Sequence, residues 1–85
     1  MIKSVVDMFS DYEVVNVTVS DDYIGCNFLM DVEDVDLEGN SLTFGNADQE
    51  ICISQIDRYE ISEGYDSFLL NDKEQNRQIE LYFIR

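Results

Sequence analysis

Histidine, proline and tryptophan are absent from this 85-residue chain, and only five residues are basic. Each absence closes off a class of chemistry. Without histidine the commonest general base and metal ligand is missing, and no Ser–His or Cys–His dyad can form within one chain. Two cysteines, Cys26 and Cys52, fall short of a structural zinc site. No glycine-rich phosphate loop occurs. No apolar run approaches the roughly 18 residues of a membrane span. Asp7 interrupts MIKSVVDMF before the apolar region of a signal peptide can form. With 19 carboxylates no pair stands out for acid–base work, and so short a chain has little room for a deep pocket. The expectation is a cytoplasmic protein that is not an enzyme and uses no cofactor. Its two thiols are expected to be reduced and buried inside apolar strands.

Acid is what the chain has in excess. Nineteen Asp and Glu against five Lys and Arg give a formal net charge of −14. The two signs are also separated. From Ser4 to Asp57 there are 13 acids and no base; from Arg58 onward four bases meet six acids. Phosphate recognition needs cations, so direct nucleic-acid binding and attachment to anionic membranes are both disfavoured. Two roles remain for the acid. It keeps a small β-rich protein soluble and blunts its strand edges, or it meets a basic partner.

The strongest fold signal is Asp31–Phe44, DVEDVDLEGNSLTF. Gly39-Asn40 suits the tip of a two-residue primed hairpin turn, where positive φ is required. Glu38 then faces Ser41, Leu37 faces Leu42, Asp36 faces Thr43 and Val35 faces Phe44. The apolar pairs share one face, predicted to be the core side. Asp34, Asp36, Glu38, Ser41 and Thr43 share the other, predicted to face solvent.

Helical spacing of Ile2, Val5, Val6 and Phe9 predicts a short amphipathic helix over 2–9 that docks on the rest of the fold. Val15, Val17 and Val19 alternate within a strand over 12–19, and 20–22 turn the chain. A second strand over 23–30 carries Ile24, Cys26, Phe28 and Met30 on one face and Tyr23 and Leu29 on the other, as a central strand would. Gly25 within it suggests a bend or a close backbone approach. The apolar parity shifts between Val32 and Val35, which predicts a bulge or corner near Glu33–Asp34. Residues 45–49 form a loop. Over 51–61 alternation breaks at Gln55 and resumes at Tyr59, so a strand, one tight helical turn through 54–57 and a further strand are expected. Residues 63–66 turn, Phe68 and Leu70 open another strand, 71–76 loop, and Ile79, Leu81 and Phe83 alternate in a last strand over 78–84; a helix using Ile79, Tyr82 and Phe83 is the alternative, and the aromatic and β-branched content favours the strand.

The fold class is therefore mainly β: a single domain over 1–85, a small, strongly bent antiparallel sheet or barrel of seven or eight short strands, with a short N-terminal helix. The layout of Val15, Val17 and Val19, Gly25 and the corner at 54–57 resembles that of small SH3-like and Sm barrels, although the acidity is opposite to that of an RNA-binding Sm protein.

Asp34-x-Asp36-x-Glu38-Gly39 imitates the start of an EF-hand loop, but its twelfth position is Gly45 where a bidentate Glu is needed, and its flanks are strands. The carboxylates are better read as a binding surface, with Asp21, Asp22, Asp31, Glu33, Asp34, Asp36, Glu38, Asp48 and Glu50 as its candidate residues. In size and charge the chain is similar to phage-encoded antagonists of bacterial defence nucleases (anti-CRISPR-like proteins) and to immunity proteins for nuclease toxins. That likeness implies a small inhibitor docking on the basic, nucleic-acid-binding surface of a partner protein, in one version as a DNA mimic. A row of carboxylates on one strand, about 6.8 Å apart, is too sparse to imitate duplex DNA, which carries a charge every ~1.7 Å, so several strands would have to contribute. The alternative is a structural or assembly protein that forms a homo-oligomer through Leu29, Leu69, Tyr82 and Ile84, which fall off the main alternating faces.

Overall fold

The chain folds as α1 (Ile2–Asp11), β1 (Val14–Ser20), β2 (Gly25–Asp31), β3 (Asp34–Glu38), β4 (Ser41–Gly45), β5 (Glu50–Ser54), a 3-10 turn (Ile56–Arg58), β6 (Glu60–Glu63), β7 (Ser67–Asp72) and β8 (Arg77–Ile84). The structure is a computed structural model that describes residues 2–84, with side chains described from Val5 to Ile84. The strands form two antiparallel sheets, one ordered β2-β1-β8-β7-β6 and one ordered β3-β4-β5. The protein is mainly β with one short N-terminal helix, as its alternating patterns require.

The hairpin has the predicted register, with Leu37 opposite Leu42 and Val35 opposite Phe44. Its turn differs in one respect. Gly39 has φ of 60°, and Asn40 has no positive φ, so only the first central residue is left-handed, as in a II′ turn. Leu42 and Phe44 are buried, whereas Leu37 near the tip remains 38% exposed. The parity slip between Val32 and Val35 marks the point where the chain changes sheets. Val32 N–H donates to Glu13 O at 2.8 Å, and the next N–H, of Glu33, donates to Gly45 O at 2.9 Å. A Cβ on the same Gly45 would overlap the Gln49 carbonyl oxygen, so only glycine fits there.

The 3-10 turn sits where alternation fails. Gln55 turns the corner in the left-handed region, with φ of 54° and ψ of 47°, an uncommon conformation for a residue with a side chain. Ile56 N–H donates to Asn40 O at 3.0 Å, which ties the turn to the hairpin tip.

The core lies between the sheets and under α1. Val15 and Val17 from β1, Phe68 and Leu70 from β7, and Leu81 and Phe83 from β8 are buried against Leu42, Phe44 and Ile53. The helix runs two residues beyond the predicted end. It buries Val5 fully and places Phe9 between the sheets, 4.8 Å from the Phe44 ring and 4.9 Å from the Phe83 ring. The Ile2 side chain lies outside the described residues. Tyr12 is buried ahead of β1 and donates its hydroxyl to the Asp66 carboxylate at 2.7 Å.

Three expectations are corrected. β2 is an edge strand, and Tyr23 and Ile24 before it are 93% and 69% exposed. A Cβ added at Gly25 would meet nothing within 4 Å, so no close backbone approach explains the glycine. Cys26 and Cys52 are free but exposed: Cys26 shares the inward parity of Phe28 and Met30, yet lies towards the uncovered end of the edge strand, and Cys52 points outward opposite Thr43.

Hydrogen-bonding phase determines which backbone groups the edges leave free. Asn46 N–H donates to Gln49 O at 2.8 Å. Alternation along the ladder then turns the N–H and C=O groups of Glu50, Cys52 and Ser54 away from β4. Likewise Asp21 N–H donates to Ile24 O at 2.9 Å, which turns those of Gly25, Asn27 and Leu29 away from β1.

Candidate functional site

Three strands set side by side decide which carboxylates share a face. On the outer side of the three-stranded sheet the rows run Asp34–Gly45–Glu50, Asp36–Thr43–Cys52 and Glu38–Ser41–Ser54. Asp34, Asp36 and Glu50 line a shallow hollow of about 190 Å³. The loop after β4 is held against this face by one side chain. Asn46 Oδ1 accepts the N–H groups of Asp48 and Gln49 at 2.9 and 3.0 Å, and its Nδ2 donates to Asp31 O at 2.6 Å. Asp48 therefore borders the same face, as does Glu33 at the corner beside Gly45. Asp31 is reached only through its backbone oxygen, and its side chain shares the row of Val14 and Ile84 on the five-stranded sheet. The six carboxylates around this face, and Asp31, are exposed.

Asp21 and Asp22 are elsewhere. They occupy the β1–β2 turn, which meets the β7–β8 turn through a hydrogen bond from Asn76 Nδ2 to the Asp22 carboxylate. Asp21 Oδ1 accepts the N–H groups of Tyr23 and Ile24, both at 2.8 Å. Those two bonds, with a smaller contribution from the Arg77 charge, hold its carboxyl below the ordinary aspartate range. Asp21 is a turn-forming residue, and the nine candidates fall into a group of six around the three-stranded sheet, the pair Asp21 and Asp22, and Asp31 on the outer row of the five-stranded sheet.

Two of the described cations are engaged away from the larger group. Arg58 reaches across to Asp72 at 3.5 Å and Glu74 at 3.3 Å and donates to Gln55 Oε1 at 2.8 Å; Lys73 pairs with Glu60 at 3.0 Å. The Asp72 carboxylate, buried at 3% exposure, also caps its own turn by accepting the Glu74 and Gln75 N–H groups. Among the described residues no three carboxylates or thiols converge to hold a metal ion, and no helix is long and apolar enough to cross a membrane.

Charge spacing limits what the acidic face can imitate. Its carboxylates are about 6.8 Å apart along β3, and β3 and β5 are separated by two strand spacings, roughly 9.6 Å. The intervening β4 contributes none. This density is well below the ~1.7 Å charge interval of duplex DNA.

The opposite side of the molecule has a different character. On the outer face of the five-stranded sheet, Leu29, Asn16 and Tyr82 form one row and Val14 and Ile84 another. Leu29 is 62% and Tyr82 49% exposed. Between them Asn16 Oδ1 is buried without a hydrogen-bond partner among the described residues. A third feature went unread in the sequence. Arg77 occupies the inward parity of β8 with Ile79, Leu81 and Phe83, and a charge in that series was the available signal for a polar site at the end of the core.

No protein-family model matches this chain, and no curated protein matches it.

Proposed function

We propose that the protein is a non-catalytic acidic binding module that docks its three-stranded sheet on the basic, nucleic-acid-binding surface of another protein. The observation that carries this reading is the gathering of Glu33, Asp34, Asp36, Glu38, Asp48 and Glu50 around one exposed sheet face, with Arg58 and Lys73 held in ion pairs elsewhere. A single-signed surface steers a cationic groove into contact and accelerates association. The carboxylate spacing favours contact between complementary patches over close imitation of a duplex. A nuclease or other nucleic-acid enzyme of a bacterial or phage system is the partner class that suits such a patch.

Affinity capture from a bacterial lysate tests it. The immobilised protein should retain nucleic-acid enzymes, added DNA should displace them, and retention should weaken as salt rises. Asp34→Asn, Asp36→Asn and Glu38→Gln combined should reduce capture while the fold survives. Undiminished capture by that variant would remove this face from the proposal.

A second reading, self-assembly through the outer face of the five-stranded sheet, is favoured by the Leu29–Asn16–Tyr82 row and the unpartnered Asn16 oxygen. It requires an oligomer that persists in high salt and is dispersed by Leu29→Lys.

A further inference from the structure

The free edge of β5 borders an open groove of about 580 Å³, within the size range of ligand sites. All of Ile51 to Gln55 line one side. Val17 and Val19 of β1 and Ile79 of β8 form an apolar floor where the three-stranded sheet stops short of covering the five-stranded one. Arg58 and Arg77 line the polar part of the groove, and Arg58 reaches Gln55, which places it past the Ser54 end of β5. Arg58 is engaged by Asp72, Glu74 and Gln55. The Arg77 side chain makes no ion pair or hydrogen bond among the described residues, although its charge is felt by Asp21.

We propose that this groove takes the C-terminal segment of a partner protein as an added strand on β5, with its terminal carboxylate at Arg77. Three observations select this occupant. The outward N–H and C=O groups of Cys52 and Ser54 repeat every second residue, and an extended backbone is the ligand that matches such a repeat. The apolar floor receives every second side chain of that backbone. The terminus has to be at the arginine end, so the segment runs parallel to β5 and brings its earlier residues towards the acid at Glu50. A net charge of −14 repels an acidic segment, so the carboxylate is a single one on a segment otherwise neutral or basic. This site meets the acidic outer face only at Glu50 and does not depend on that face's docking role.

The test uses uniformly 15N-labelled protein and a seven-residue probe, one lysine followed by alternating valine and threonine, in free-acid and C-terminally amidated forms. The free acid should shift the Cys52 and Ser54 amides and slow their hydrogen exchange, and amidation should weaken binding about tenfold, as the loss of a charge-assisted hydrogen bond does. Arg77→Gln should abolish the difference between the two forms. Cys52→Pro should prevent binding, because the ring removes an outward N–H that the β4 ladder does not use; if that variant fails to fold, the Arg77→Gln comparison decides alone. Absence of binding, shifts along Gly25–Leu29 instead, or a carboxylate preference that survives Arg77→Gln would overturn the proposal. So would decanoate displacing the probe with no β5 amide protected by either, which would mark a site for small amphiphilic anions. Shifts at β5 that follow protein concentration without probe would assign the edge to a second copy of the chain and overturn it as well.

Discussion

Asn40 and Asp57 hold each other through both polar atoms of the Asn40 side chain. Nδ2 donates to the Asp57 carboxylate at 2.7 Å, and Oδ1 accepts the Asp57 N–H at 3.0 Å. With the bond from Ile56 N–H to Asn40 O, the hairpin tip clamps the 3-10 turn that carries the chain from one sheet to the other. Asn40→Ala removes two exposed bonds and should cost about 1–2 kcal/mol. Asn40→Asp sets like charges together and should cost at least as much. Urea unfolding checks both; midpoints equal to the parent's would show that the clamp contributes nothing.

Phe9 is the helix residue that joins the two sheets, through Phe44 on one and Phe83 on the other. Phe9→Ala should destabilise the fold by roughly 3–5 kcal/mol, a large part of the 5–15 kcal/mol typical of a small domain. Phe9→Leu retains most of the volume and should cost much less. Thermal melts of both variants would separate an anchoring ring from a helix that rests loosely on the surface.

Both cysteines should react with a thiol reagent in the folded protein, without denaturant, because Cys26 and Cys52 are exposed and free. Labelling that appears only on unfolding would contradict the placement of these two side chains. Occupation of the β5 groove should protect Cys52 and leave Cys26 reactive.

The Asp21 turn has a pH dependence whose direction is set by its hydrogen bonds. The folded carboxyl lies below its ordinary value of 3.8, chiefly through the Tyr23 and Ile24 N–H groups. Its contribution to the turn is therefore full above that value and is lost as pH falls through the lower folded one. Carbon-detected NMR should show Asp21 titrating below 3.8, with the Tyr23 and Ile24 amides moving in step. In Asp21→Asn those amides should not move in that window. Titration of Asp21 at or above the ordinary value would refute the account of the turn.

Local chemistry was legible in the sequence. The register of β3 and β4, the corner at the 3-10 turn and the alternation of Ile79, Leu81 and Phe83 each follow from residues a few positions apart. What depended on the covering sheet was not. Cys26 has the same parity as buried Met30, and only the extent of the second sheet distinguishes them. A run of apolar residues on both faces suggested a central β2, but the chain leaves its Tyr23, Ile24 and Leu29 exposed at an edge. For the carboxylates, the hairpin register predicted the company of Asp34, Asp36 and Glu38. Glu50 joins them through the pairing of β5 with β4, and Asp21 and Asp22 depart with a turn that belongs to the other sheet.

β1 is bonded on both sides, and Val14 pairs with Asp31 on one and with Ile84 on the other. The second pairing spans most of the chain, so the larger sheet closes late, and closing long loops slows folding. Until β8 docks, β1 presents VVNVTVS, seven residues without a charge, to any other unfinished chain nearby, and such segments add readily to one another. The carboxylates therefore act before there is a fold for them to decorate: mutual repulsion gives β1 time to meet β8 of its own chain. Refolding yield at high protein concentration should fall as acids are neutralised, even where the finished structure does not notice the change.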